Sequence, residues 1–260
     1  MSTASGVFRY ALLGSGSKGN ATLVQGGRTR VLVDCGFAVR EVEARSAGLQ
    51  FEPAQIDAIL VTHEHSDHIG GVARLARAYG IPVYLTHGTA SARSDWEACE
   101  LRHISPHEHF QIGDLEIQPF PVPHDAREPC QFTFAHARRR LGIVSDLGHI
   151  TAHVRRSLEH CDALLLECNH DPDLLARGPY PESLKRRVGG DWGHLSNIQA
   201  AGLLRAVDRP RLQSLVLTHL SEQNNTPELA RAAVCEVLQD DPAWCVCAEQ
   251  KQGSGWREIL

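Results

Sequence analysis

The sequence predicts one α/β domain over residues 1–260, built of stacked sheets and helices. Three observations carry that reading. Short β-type runs separated by Gly-rich turns open the chain, which marks an antiparallel meander. Continuous apolar runs recur later, as in "IDAILVT" (56–62) and "CDALLLECN" (161–169), and such runs form strands buried on both faces. Between them lie stretches whose apolar residues recur at helical spacing. At 260 residues the chain can bury a substantial core, and its 42% hydrophobic and 22% charged residues suit an ordered globular protein.

Taken in order, "VFRYALLG" (7–14) and "ATLVQGG" (21–27) flank the turn "SGSKGN", and "TRVLVDCG" (29–36) follows a second turn. "AVREVEARSAGL" (38–49) reads as a helix. "IDAILVT" then ends on the histidine cluster "THEHSDHIGG" (62–71), behind which Ile69, Val72, Leu75, Ala76 and Tyr79 mark a helix. His63 and His65 thus leave a strand, while Asp67 and His68 enter a helix. "LEIQPFPV" (115–122), "CQFTFAHA" (130–137) and "LGIVSD" (141–146) read as strands, the last two paired across "RRR". "SNIQAAGLLRAV" (196–207) is a helix with Ser196 as N-cap. "LQSLVLTH" (212–219) is a strand, "PELARAAVCEVL" (227–238) a helix opened by Pro, and "AWCVCAEQ" (243–250) a last short strand. Residues 169–195 form the longest irregular segment, the kind of stretch that serves as a lid or binding loop.

The formal net charge is −5, so the chain lacks the whole-molecule basic field of a non-specific nucleic-acid binder. No apolar h-region stands behind a basic start, and no apolar run is long enough to span a bilayer. A cytoplasmic protein without membrane contact is expected. The eight cysteines contain no C-x-x-C pair and read as reduced packing residues.

Ligand-type side chains recur where strands end. His63, His65, Asp67 and His68 lie within six positions; His124, Asp146 and His219 each follow a separate apolar run. Strand ends converge along one sheet edge, so these residues can meet. Imidazole suits zinc and similar ions, a carboxylate can bridge two of them, and the His/Asp mixture also permits manganese. Residues i and i+2 of an extended segment point the same way, which lets His63 and His65 serve one ion. Gly70 and Gly71 are expected to leave room where the helix approaches the site.

The pattern H-x-H-x-D-H followed by a lone His, a lone Asp and a final His resembles the metallo-β-lactamase superfamily, over essentially the whole chain. The resemblance implies a four-layer αββα sandwich with two divalent metal ions at the sheet edge. By that analogy His63, His65 and His124 hold one ion, Asp67, His68 and His219 the other, and Asp146 bridges. "GDWGHLSN" further resembles the tRNase Z branch, in which such a His donates a proton to the leaving oxygen. "GSGSKGN", "HEHSDHIGG", "HDA", "SDLGH", "ECNHD", "GHLSN" and "LTHLSEQNN" are more similar still to YycJ-type exonucleases.

Two metals can hold a phosphate and generate hydroxide near neutral pH, and a histidine outside the metal set can protonate the leaving group. The expected function is therefore metal-dependent phosphodiester hydrolysis, with DNA as substrate. His194 is the expected proton donor, with Asp67 and Asp146 orienting the attacking oxygen. Lys185, Arg186 and Arg187 precede His194 and suit phosphate oxygens. Glu167, Asn169, His170 and Asp171 are expected to support the ligands by hydrogen bonds. His149 reads equally as a support for Asp146 or a helix-start residue, and "GSGSKGN" equally as a plain turn or a functional one. A small-molecule phosphodiesterase and a thioester or lactone hydrolase remain alternative reactions. An inactive binding module is the non-enzyme alternative, against which the complete ligand set argues. Oligomeric state is not legible.

Overall fold

The computed structural model describes residues 6–239 and 243–260; residues 1–5 and 240–242 of the expected 1–260 domain lie outside the described residues. Fourteen strands among them form two sheets. They are β1 (Phe8–Gly14), β2 (Ala21–Gly26), β3 (Thr29–Val33), β4 (Ala58–Leu60), β5 (Val83–Leu85), β6 (Leu101–His103), β7 (Phe110–Ile112), β8 (Leu115–Pro121), β9 (Cys130–His136), β10 (Arg139–Val144), β11 (Ala163–Glu167), β12 (Ser214–Thr218), β13 (Cys245–Cys247) and β14 (Arg257–Glu258). The helices are α1 (Val39–Ala47), α2 (Ser66–Ile69), α3 (Val72–Tyr79), α4 (His87–Ser91), α5 (Ala152–Ser157), α6 (Pro172–Arg177), α7 (Glu182–Val188), α8 (Asn197–Ala206) and α9 (Pro227–Leu238).

One sheet runs β14-β1-β2-β3-β4-β5-β6, the other β13-β12-β11-β10-β9-β8-β7. Their facing sides share a core in which Phe8, Tyr10, Leu12, Val31 and Leu60 meet Ile117, Phe132, Phe134, Leu165 and Val216. The alternate residues face outward. Leu23, Leu32, Ile59 and Val61 pack on Val42, Val72 and Leu75 of α1 and α3. Leu164, Leu166, Leu215 and Leu217 pack on Leu203, Leu204, Ala230 and Val234 of α8 and α9. Four layers result, an αββα sandwich. Strands such as β4 and β11 are apolar throughout because both of their faces are covered.

The meander β1–β2–β3 is antiparallel as expected, whereas β3–β4–β5–β6 and β10–β11–β12–β13 are parallel. β8 is antiparallel to β9, and β9 to β10, so β8 and β10 also point the same way. The C-terminal ends of β3, β4, β8, β10, β11 and β12 carry the polar segments of the site. Two expectations need correction. Residues 169–195 contain the short helices α6 and α7; α7 buries no residue, so it leaves no apolar period in the sequence. Gly70 and Gly71 serve local packing: a Cβ on Gly71 would stand 1.9 Å from the Phe37 carbonyl oxygen and one on Gly70 2.4 Å from that of Ser66.

Candidate metal centre

The strand ends bring His63, His65, Asp67, His68, His124, Asp146 and His219 together. Donor atoms of His63, His65 and His124 lie within 4.8 Å of one another, as do those of Asp67, His68 and His219, and those of His63, His68 and Asp146. α2 supplies Asp67 and His68 to the second group and His68 to the third. Asp34, Asp146 and His219 turn out of their strands with φ of 59°, 54° and 55°. Left-handed backbone costs on the order of 1–2 kcal/mol per residue, and its concentration at this edge marks a place the fold holds against strain.

Hydrogen bonds decide which nitrogen of each ring is left over. The Thr62 hydroxyl donates to Asp34 Oδ2 at 2.8 Å, so it accepts from His63 Nδ1 at 2.9 Å. His63 Nε2 is then a bare lone pair, buried and without a partner. His68 Nδ1 donates to Asp34 Oδ2 at 2.8 Å, and His124 Nδ1 to the Gly193 carbonyl at 3.0 Å. His219 Nδ1 lies 3.4 Å from Glu167 Oε1. The remaining nitrogens face one another and the carboxylates: His65 Nδ1 is 3.2 Å from His124 Nε2, His68 Nε2 3.1 Å from Asp146 Oδ2, and His219 Nε2 3.3 Å from Asp67 Oδ2. Asp146 Oδ2 is buried and still lacks an aligned hydrogen bond. Buried lone pairs pointed at one another are costly unless something cationic stands between them. The donor set fits divalent metal.

The electrostatics agree. Burial opposes charge on Asp67 and Asp146, yet His219 and His68 hold both well below the ordinary carboxylate range. Burial pushes the His63 imidazole well below its usual value, His68 adding to the effect. Burial also works against charge on His68 and His219, but the carboxylates win. Asp146 and Asp34 raise His68 well above its usual value, and Asp146, Asp67 and Glu167 raise His219 to about 10. The carboxylates thus demand positive charge at the centre.

His194 stands beside this cluster at the start of α8. Its Nδ1 donates to Glu167 Oε1 at 2.8 Å and lies 3.5 Å from Asp146 Oδ1. Glu167, fully buried at the end of β11, also accepts from the backbone N–H of Leu147 and of Leu195, each at 3.0 Å. Burial would raise its carboxyl, but His194 and then His219 outweigh that and hold it at about 2. Asn169 Nδ2 donates to the His219 carbonyl at 3.0 Å, and His170 sits one step further out, 3.4 Å from Asn169 Oδ1. Asn197 and Asn225 exchange a reciprocal pair of 2.9 Å bonds, which ties "GHLSN" to "SEQNN". His149 neither supports Asp146 nor starts a helix; its Nδ1 donates to the Asp191 carbonyl at 2.8 Å.

"GSGSKGN" is part of the site. Ser15 Oγ accepts from the His219 N–H at 2.9 Å, and Asn20 accepts from Gly16 N–H while its Nδ2 lies 3.1 Å from His68 Nε2. The sequence reading does not single out Asp34, Thr62 and Asp125; Thr62 and Asp125 adjoin histidines in "VTHEH" and "HDA", and Asp34 is marked only as the polar residue that ends a strand in "VDCG". A cleft of about 370 Å³ opens over the centre, lined by Ser17, His65, Asp67, Tyr180, Arg187 and His194 among others. Of the expected basic residues only Arg187 lines it, paired with Asp125 at 2.6 Å. Lys185 and Arg186 line a separate hollow with His170, and Lys185 Nζ donates to the Ala176 carbonyl.

Residues 29–220 match the family described as the β-lactamase superfamily domain. This chain belongs to the metallo-β-lactamase superfamily. Its relatives in that superfamily include exodeoxyribonuclease YycJ of Bacillus anthracis, 36% identical over 241 residues, 89% of each chain. Exodeoxyribonuclease WalJ of Streptococcus pneumoniae is 34% identical over 237 residues, 89% of this chain and 88% of that one. The crystal structure of YhfI, a metallo-β-lactamase-fold protein of Bacillus subtilis, superposes with a TM-score of 0.74 at 17% identity and covers 96% of this chain and 98% of that one. The chain is a metal-dependent hydrolase of this fold.

Proposed function

We propose that this hydrolase is a dinuclear phosphodiesterase that degrades DNA from an end. The observation that carries the reading is His194, fixed by buried Glu167 beside the donor cluster and lining the cleft. The relatives named exodeoxyribonucleases, similar along nearly their whole length, support it. His63, His65 and His124 would hold one ion, Asp67, His68 and His219 the second, with Asp146 between; zinc suits the set best and manganese is the alternative. When bound, such ions supply Lewis-acid stabilisation of a phosphodiester and acidify water.

The chain's own groups supply the rest. Asp67 and Asp146 stay anionic and orient the attacking water. His194 delivers a proton from Nε2 to the leaving oxygen, while its Nδ1 remains donated to Glu167, which holds the ring in place. Arg187 on the cleft wall meets a phosphate oxygen, and Lys185 and Arg186 meet the backbone beyond the scissile bond. The eight cysteines are all free, which suits the cytoplasm, and among the described residues no helix is long and apolar enough to cross a membrane.

The cleft is modest, about 370 Å³, which favours hydrolysis of a small phosphodiester as the second reading. A linear duplex labelled at its 5′ end, with zinc or manganese, separates the two when assayed beside an aryl phosphodiester. Progressive loss of duplex from its end is expected. Cleavage of the aryl diester with the duplex left intact would move the assignment to a small-molecule phosphodiesterase.

A further inference from the structure

Trp192 is 61% exposed, whereas Trp96, Trp244 and Trp256 are partly buried and pack against the outer cores. Its backbone, by contrast, is held closely. Three consecutive carbonyls of its loop each accept a hydrogen bond from a residue of the sequence motifs: Asp191 from His149 Nδ1 at 2.8 Å, Trp192 from Asp125 N–H at 3.0 Å, and Gly193 from His124 Nδ1 at 3.0 Å. The His194 N–H donates to the Val188 carbonyl at 2.9 Å, and Gly193 N–H to that of Gly190 at 2.9 Å. On the other side Gly148 lies so close that a Cβ there would stand 2.1 Å from the Asp191 oxygen. These contacts hold the loop backbone while the indole stands exposed.

The location is specific. Trp192 precedes Gly193 and His194, which line the cleft, and follows α7, whose Arg187 and Val188 line it too. The His149 ring meets the indole edge to face at 6.5 Å between centroids. A large aromatic surface on a fixed backbone beside a phosphodiester site matches what single-stranded nucleic acid binds: a π-face for a base next to a cationic group for the backbone.

We propose that Trp192 is a stacking platform for a nucleobase of a single-stranded or frayed end whose phosphate lies in the cleft. It rests on the nuclease reading and names what would favour a strand over a small diester. His149 supports the platform through Asp191 and the indole edge, which gives that motif residue a positioning duty.

The test is the KM for a single-stranded oligonucleotide and for the same strand with three abasic sugars at each end, measured alongside metal content. Trp192→Ala should raise KM on the ordinary strand about ten-fold, the loss expected for one stacked base. Trp192→Phe should raise it about two-fold. On the abasic-ended strand the wild type and Trp192→Ala should have equal KM. An unchanged KM for Trp192→Ala on the ordinary strand would overturn the platform, as would a rise that persists on abasic ends. A wild type that degrades the linear duplex but no single strand would overturn the platform alone; one that degrades neither would overturn the nuclease reading as well.

Discussion

At the floor of the cleft each imidazole is held from behind. Thr62, Asp34, Gly193 and Glu167 occupy the outer nitrogens of His63, His68, His124 and His219, and apart from the Gly193 carbonyl these partners are buried side chains. The wall differs. α7 buries nothing, and its cleft-side tie is the pair Arg187–Asp125, between side chains 61% and 30% exposed. An exposed pair of that kind contributes about 0–1 kcal/mol, so phosphate can displace Asp125 from Arg187 at little cost. His65, at the boundary, has its Nε2 3.6 Å from the same Asp125. The contrast separates two tasks: a fixed floor sets the chemistry, and an adaptable wall chooses what reaches it.

The floor is where substitution should do most. Asp34→Asn leaves every proposed ligand in place but weakens the anchor of His68, and should lower affinity for one of two metals by about 10–100-fold. Competition with a chelator measures this; two wild-type affinities would mean that the floor needs no support from behind. On the wall, changing Arg186 and Arg187 together to Gln should leave both metals bound and lower the slope of log affinity for duplex against log salt by about 0.9 for each lost phosphate contact. An unchanged slope would take these residues off the substrate path.

The smallest effect concerns Glu167. Its carboxyl is held at about 2, below the ordinary glutamate value of 4.5, so its contribution to stability is complete above about pH 4.5 and disappears as pH falls toward 2. Metal-free Glu167→Gln should therefore melt below the wild type by a constant interval above about pH 4.5, and the interval should narrow toward pH 2. An interval that widens in acid would contradict the charge assigned to this residue.

The floor was legible in the sequence and the wall was not, for physical reasons. Strands covered on both faces print continuous apolar runs, and the polar residue that ends each run stands out, as His124, Asp146 and His219 do. Asp34 and Thr62 end strands as well, but the bond that joins them spans 28 residues and Asp34 lies 34 residues from His68, so nothing local distinguishes Asp34 from a turn residue. The same holds for "GSGSKGN", whose Ser15 and Asn20 bond to His219 and beside His68. α7 buries no residue and so prints no period, while β5, β6 and β7 have three residues each, too few for one. Lys185, Arg186 and Arg187 could be read as a basic cluster, but helical geometry turns only Arg187 into the cleft.

The division between metal floor and proton donor is tested most directly by metal content and single-turnover hydrolysis of end-labelled duplex for His65→Ala and His194→Ala side by side. His65→Ala should lose metal and activity together. His194→Ala should keep its metals and slow the chemical step about 10²–10⁴-fold, the range for a removed general acid. A His194→Ala protein that loses metal as His65→Ala does, or one that turns over at the wild-type rate, would contradict the account.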